Sequence, residues 1–373
     1  MRVLMTGGGT GGHINPALAI AKTILEQEPD SEIAFVGTAH GMENRLVPKE
    51  GFPLYHIEMQ GWRRSLSPAN LKTLWLMMTS VPKAKKLIRG FQPDVCIGTG
   101  GYVSWPLIKA AAALGVPTAL HESNALAGMA VKLLASDVDV LFTNFEKTAE
   151  QIRSCKRIVH VGNPLKQGFS SIKREEARAR LGFEGRYRYS LLSCGGSLGA
   201  GAINAEALRL MKDYVAQHPE IHYLHQAGVG YYDAVKAEFD RLGLNQYPNL
   251  QLVDYIYDMP DRLAAADLVI NRAGAMTISE LALLQKPAIL IPSPNVTDNH
   301  QYKNAKVLAD AGAAVMLEER DLSEGALSRA VASLLSDREK RRVMAENFGR
   351  FAIKNANILI YNEIKDLVNA KKM

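Results

Sequence analysis

Val3-Leu4-Met5-Thr6-Gly7-Gly8-Gly9-Thr10-Gly11-Gly12-His13-Ile14-Asn15-Pro16-Ala17 is the stretch that decides the fold. Three apolar residues suit a short buried strand, and the glycines after them suit a tight turn. A helix is expected from about Pro16 to Glu28, because Leu18, Ile20, Ala21, Ile24 and Leu25 recur at helical spacing and proline suits a first turn. Working outward, short apolar strands are expected at 33–36, 94–98, 117–121 and 138–142. Strands alternating with helices describe a parallel sheet covered on both faces.

The pattern restarts at Tyr189. Residues 189–194 read as a strand, 195–201 as a second glycine-rich turn, and a helix is expected from about Ala202. Later strands are expected at 221–226, 250–253, 268–270, 288–291 and 314–316. The fold class is therefore α/β, with two Rossmann-like doubly wound parallel-sheet domains. A length of 373 residues suits two domains. The expected bounds are 1–163, 164–340, and a helical segment 341–373 packing back on the first domain.

Apolar residues make up 47% and charged residues 22%, which excludes a disordered or collagen-like chain. Cys96, Cys155 and Cys194 are widely spaced and odd in number, as free thiols of a reducing compartment are. The N-terminus lacks an apolar signal segment, and no charge-free run reaches the length of a membrane span. A cytoplasmic protein is expected. The net charge is +6, and no acidic residue stands between Glu58 and Asp94. That window carries Arg63, Arg64, Lys72, Lys83, Lys85, Lys86 and Arg89, with Trp62 and Leu74-Trp75-Leu76-Met77-Met78 among them. Cations beside bulky apolar residues suit an anionic membrane surface; a core helix with a solvated basic end gives the same pattern. Nucleic acid is not an expected partner, because no helix-turn-helix, zinc or RNA-binding signature accompanies the charge.

Backbone N–H groups in the turn 7–12 can approach a phosphate, aided by the helix N-terminus. A P-loop would end in Gly-Lys-Ser/Thr, but Gly12 is followed by His13; a nicotinamide site would place an acid after the second strand, where Thr38-Ala39-His40 stands. His13 is placed either to exchange a proton with a bound hydroxyl or to cap the helix. Asp137 and Asp139 form an Asp-x-Asp pair, which holds a metal in some sugar transferases. A helix end followed by a strand entry also produces such a pair, and it is left unassigned. The stretch 272–280 leads from a strand into a helix whose first turn is expected to hold Thr277, Ser279 and Glu280, where backbone N–H groups suit an anion and the carboxylate a ribose diol. Residues 298–304 are dense in groups that hydrogen-bond sugar hydroxyls.

Taken together and in order, these motifs resemble the MurG family, the peptidoglycan N-acetylglucosaminyltransferases. The resemblance rests on 7–17, Gly98-Thr99-Gly100-Gly101-Tyr102, His121-Glu122-Ser123-Asn124, Gly162-Asn163-Pro164, 195–200 and 272–280. It implies a GT-B fold, with a cleft between the domains. It implies transfer of N-acetylglucosamine from UDP-N-acetylglucosamine to the 4-OH of the muramyl sugar of undecaprenyl-pyrophosphoryl-MurNAc-pentapeptide, with inversion. The first domain would bind acceptor and membrane, the second the UDP-sugar. The protein would sit peripherally on the cytoplasmic side of the inner membrane.

The same resemblance assigns residues. Ile256 meets the uracil, Ala275, Met276, Thr277, Ile278 and Ser279 the nucleotide, and Glu280 the ribose. Ser197 meets the diphosphate and Gln301 the sugar hydroxyls, while Asn124, Thr10, Gly11 and Gly12 approach the donor from the first domain. Where family members commonly carry arginine after Gly-Asn-Pro, this chain has Leu165-Lys166, so Lys166 would keep the charge but not the bidentate fork. His13 is the candidate base, with Tyr102, His121 and Glu122 as shaping or alternative groups. Two glycine-rich turns can stabilise the leaving diphosphate, so neither metal nor cofactor is expected. Alternatives are another GT-B enzyme with a different acceptor, a UDP-N-acetylglucosamine 2-epimerase, or a non-catalytic nucleotide-sugar-binding scaffold.

Overall fold

The computed structural model describes residues 1–61, 69–165, 168–169, 172–196, 198–322 and 325–372. Its chain divides into two compact units, Met1–Lys166 with Asn355–Met373, and Gln167–Lys354.

The first unit is built on seven strands: β1 (Arg2–Thr6), β2 (Glu32–Gly37), β3 (Leu54–His56), β4 (Val95–Gly98), β5 (Thr118–Glu122), β6 (Val140–Thr143) and β7 (Ile158–His160). All pair in parallel, in the order β3-β2-β1-β4-β5-β6-β7. The central strand β1 shows why the sheet needs two covers, because its residues point alternately to opposite faces and all of 3–6 are buried. Val3 and Met5 join Ile33, Phe35, Val95 and Ile97 in one core layer, against Ile14, Leu18 and Ile24 of the helix Gly11–Gln27. Ile360, Ile364 and Val368 of the terminal helix Ala356–Lys372 complete that layer. Leu4 faces the other way, with Ala34, Val36, Cys96 and Leu120, onto Ala84 and Ile88 of the helix Ala69–Phe91 and Leu107 and Ile108 of the helix Ser104–Ala113.

The second unit repeats the plan with β8 (Tyr189–Cys194), β9 (Ile221–Gln226), β10 (Leu250–Val253), β11 (Leu268–Asn271), β12 (Ala288–Leu290) and β13 (Val315–Met316). The order is β10-β9-β8-β11-β12-β13, again all parallel. In each sheet the first strand of the unit is central, and its two neighbours lead to opposite edges.

Four features differ from the sequence reading. The edge strands β3 and β7 were not anticipated; they are three residues each, and none of those residues is buried. The first helix starts at Gly11 with Thr10 as N-cap, so Pro16 lies inside it. The C-terminal segment is two helices, Arg338–Gly349 and Ala356–Lys372, and the break holds Asn355 at φ 63°. The chain returns to the first unit at Asn355 rather than 341, so the helix Arg338–Gly349 stays with the second. Cys96, Cys155 and Cys194 are free thiols.

Candidate active site

In the first unit the turn after β1 and the turn after β4 lie side by side, because β1 and β4 are paired neighbours. His13 sits in the first turn of the helix Gly11–Gln27. Its Nδ1 is 3.0 Å from the carbonyl oxygen of Thr99. A carbonyl only accepts, so Nδ1 carries the proton and the neutral ring holds its lone pair on Nε2. Thr99 secures the same residue twice, since its hydroxyl donates to the His13 carbonyl at 2.7 Å. The ring lies flat against the 100–101 backbone: a Cβ at Gly100 would stand 2.7 Å from Nδ1. Tyr102 is half-buried, and its ring packs over Gly9 and Gly61. Thr10, Gly11 and Gly12 form the exposed or half-exposed lip of this turn.

Glu122 and His121 both make hydrogen bonds within the first unit. Glu122 is buried, and its carboxylate accepts from Asn124 N (2.9 Å), Asn124 Nδ2 (3.0 Å) and Gly128 N (2.8 Å). It therefore fixes the loop that carries Asn124. His121 is fully buried, and its Nε2 donates to the Gly162 carbonyl at 2.8 Å. Burial pushes its pKa down to about 4, against the support of that carbonyl. Asp137 and Asp139 do not converge: Asp137 binds Lys109, and Asp139 binds Lys156 and Thr118.

In the second unit the turn after β8 borders a cavity of about 520 Å³, lined also by Tyr231, Arg272, Ser293, Gln301 and Glu319. Two devices shape the turn. Gln226 Nε2 donates to the Gly196 carbonyl at 3.2 Å. Gly199, at φ +82°, rests on the Ala227 carbonyl, and a Cβ there would lie 2.0 Å from that oxygen. Asn204 holds the carbonyl in place through Nδ2 (3.1 Å) and takes the Nε2 proton of His225 on Oδ1 (3.1 Å). Behind it, Ser193 bridges His225 Nδ1 (2.6 Å) and the Tyr223 hydroxyl (2.7 Å). This buried chain keeps His225 neutral, with burial pushing its pKa down to about 3.

Gln301 lines the cavity and accepts from Ser293 N at 2.9 Å. Ile256, Ala275, Met276, Thr277, Ile278, Ser279 and Glu280 do not line it. Ile256 is buried in the loop after β10, between the exposed rings of Tyr255 and Tyr257. The helix begins at Ala275, so Glu280 lies in its second turn and not its first. Glu280 is nonetheless close enough to the end of β8 to raise the Cys194 thiol, whose pKa burial pushes up to about 11. Lys166, Ser197 and the cluster Trp62-Arg63-Arg64 fall outside the described residues. Arg272 and Glu319 were missing from the sequence-derived site. They pair across the cavity wall, and Arg272 also donates to the Ile291 carbonyl at 3.1 Å. No sequence signal joins residues so far apart, although Arg272 opens the 272–280 motif.

Comparison with known proteins gives this geometry its class. Residues 3–143 match the glycosyltransferase family 28 N-terminal domain and 190–359 its C-terminal domain, which is the GT-B class of glycosyltransferase. A UDP-N-acetylglucosamine–N-acetylmuramyl-(pentapeptide) pyrophosphoryl-undecaprenol N-acetylglucosamine transferase of Acetivibrio thermocellus is 40% identical, covering 100% of this chain and 99% of its own. Its counterpart in Caldanaerobacter subterraneus is also 40% identical, over 98% and 100%. The crystal structure of MurG from Acinetobacter baumannii superposes with a TM-score of 0.79 at 30% identity, covering 98% of this chain and 99% of its own. The chain belongs to the MurG family. A UDP-GlcNAc 2-epimerase from Neisseria meningitidis, at 14% identity and a TM-score of 0.65 over 98% and 100%, shares the fold alone.

The buried histidines set an acid limit on stability. His121 and His222 are held down to about 4 and His225 to about 3, chiefly by burial, while an unfolded histidine titrates near 6.5. Their contribution is complete above about pH 6.5 and is lost as pH falls toward the folded values, because the unfolded chain then binds more protons. Each should remove about 1.4 kcal/mol per pH unit within that window. Urea unfolding at pH 7.5, 6 and 5 checks this; equal midpoints at all three would refute it.

Proposed function

We propose that this chain transfers N-acetylglucosamine from UDP-N-acetylglucosamine to the 4-OH of the muramyl sugar of undecaprenyl-pyrophosphoryl-MurNAc-pentapeptide, with inversion, as a step of peptidoglycan synthesis. The observation that carries the reading is the full-length match, at 40% identity, to transferases named for that reaction. His13 is the base. Its Nε2 takes the proton of the 4-OH as that oxygen bonds to the anomeric carbon, and the bond to the UDP phosphate oxygen breaks. The departing diphosphate is stabilised by backbone N–H groups of the turn 195–200 and at the start of the helix Ala275–Leu283.

The other roles follow the same reading. Tyr102 shapes the acceptor pocket, and Glu122 acts by positioning Asn124, which with Thr10, Gly11 and Gly12 meets the donor. Ile256 contacts the uracil, Ala275, Met276, Thr277, Ile278 and Ser279 the nucleotide, Glu280 the ribose diol, and Gln301 the sugar. Lys166 and Ser197 take the donor diphosphate.

The anionic inner-membrane surface is the second partner we propose, met from the cytoplasmic side. The helix Ala69–Phe91 buries Thr73, Leu76, Ala84 and Ile88. It exposes Leu71, Leu74, Trp75 and Met78 at three- and four-residue spacing, Leu71 to 73% and Trp75 to 55%. Lys72, Lys83, Lys86 and Arg89 stand exposed on the same helix. An apolar stripe among cations is the composition of a helix lying in an anionic interface. Among the described residues, no helix is long and apolar enough to cross a membrane.

Transfer of labelled sugar to a lipid-linked muramyl acceptor tests the activity; donor epimerisation without transfer would refute it. The same assay in excess chelator should lose no activity, and loss restored by magnesium or manganese would overturn the metal-free reading. Glu280→Ala should weaken UDP-N-acetylglucosamine binding by about 1–3 kcal/mol in calorimetry, the scale of a lost charged acceptor. His13→Ala should lower kcat by about 10²–10⁴-fold with donor affinity nearly unchanged, and should abolish the acidic limb of the pH–rate profile. Retained turnover would move the base elsewhere.

A further inference from the structure

Glu43 is a buried carboxylate that the proposed chemistry leaves unused. It opens the helix Glu43–Lys49, beyond β2, and is 1% exposed. Its Oε1 accepts from the backbone N (2.9 Å) and the hydroxyl (2.8 Å) of Thr38. Its Oε2 accepts from the backbone N of Gly9 at 3.2 Å. The surrounding backbone leaves space for this group and little else. A Cβ at Gly41 would stand 2.1 Å from Oε2, and one at Gly8 would stand 3.1 Å from Oε1. Burial alone raises a carboxylate's pKa, but here the hydrogen bonds outweigh it and hold Glu43 below the usual carboxylate range.

Gly9 is the point of leverage. Its φ is +85°, and the Tyr102 ring lies 3.3 Å from where its Cβ would be. The next residue, Thr10, is the N-cap of the helix that carries His13, and its carbonyl accepts from His13 N (3.1 Å) and Ile14 N (3.2 Å). Thr99 grips the same helical turn from β4, through His13 Nδ1 and the His13 carbonyl. The His13 turn is thus gripped at two points, by a neutral residue on one side and an ionised one on the other.

We propose that Glu43 is a positioning residue of the acceptor-side site, pinning Gly9 so that Thr10 and the first helical turn aim His13 Nε2 at the acceptor hydroxyl. This rests on the reading of His13 as the base. A carboxylate is required because two backbone donors approach from opposite sides. Each of its oxygens accepts, whereas an amide accepts on one side only.

Glu43→Gln makes the test at one atom. Its carbonyl oxygen remains on Thr38, and its NH₂ faces Gly9 N–H, donor against donor. Thr38→Val is the structural control, losing one hydrogen bond on the other side of the same carboxylate. Steady-state transfer kinetics, thermal melting and the double variant with His13→Ala are measured together. Glu43→Gln should lower kcat by about 10–100-fold, the scale of a reacting group displaced by a fraction of an ångström, with the donor KM within about twofold. Thr38→Val should keep kcat within about fivefold, whatever its melting temperature. Adding Glu43→Gln to His13→Ala should cost less than about twofold more, because the two act through one atom. A kcat for Glu43→Gln within about fivefold of the parent, an equal loss in Thr38→Val, or a full further loss in the double variant would overturn the proposal. If His13→Ala itself keeps its turnover, the base reading and this inference fall together. If His13→Ala is inactive and Glu43→Gln is not, the inference alone fails.

Discussion

The parallel pairing of one central strand with two partners that lead to opposite edges sets where the loops of each unit come together. β1 lies between β2 and β4, and β8 lies between β9 and β11. Chains leaving a pair of neighbours at such a switch point cross to opposite faces, while the turns themselves lie together at the strand ends. In the first unit this brings the turn after β1 against the turn after β4, and with them His13 against Thr99. In the second it puts the turn after β8 beside Arg272, the first residue after β11.

What was readable from sequence followed the same constraint. Central strands are buried on both faces, so β1, β4 and β11 are near-continuous apolar runs and stand out accordingly. Edge strands have no such need. Leu54-Tyr55-His56 and Ile158-Val159-His160 are short and at least partly exposed, and nothing in them distinguishes strand from loop. The break between the last two helices lacks glycine and proline; Asn355 makes it with a left-handed backbone, which a reading based on those two residues misses.

Site residues divided along a similar line. Each glycine turn is one continuous stretch, and the first runs straight into His13, so both strand–turn–helix openings were legible. The residues that hold them were not, because each acts across a long separation: Thr99 on His13, Glu43 on Gly9, Asn204 on Ala227, Glu319 on Arg272. Glu43 is instructive. Thr38-Ala39-His40, right after β2, carry no acid; Glu43 stands a few residues further on and is bonded to the turn itself. The two glycine turns look alike as sequences, yet one meets an internal carboxylate and the other an open cavity walled by an arginine.

The contact of His13 Nδ1 with the Thr99 carbonyl carries a chemical argument of its own. A carboxylate partner stabilises the imidazolium and makes the ring a stronger base, as acyl transfer to a poor leaving group demands. A backbone carbonyl selects the tautomer with much less stabilisation of the cation. It cannot titrate, so the lone pair stays on Nε2 at every pH where the ring is neutral. In the proposed transfer the leaving group is a nucleoside diphosphate. A stabilised leaving group lets bond breaking run ahead of proton removal, because a hydroxyl becomes acidic as it bonds to an electron-poor carbon. On that reading a base that is aimed well suffices, and Thr99 holds His13 at two points, its ring Nδ1 and its carbonyl.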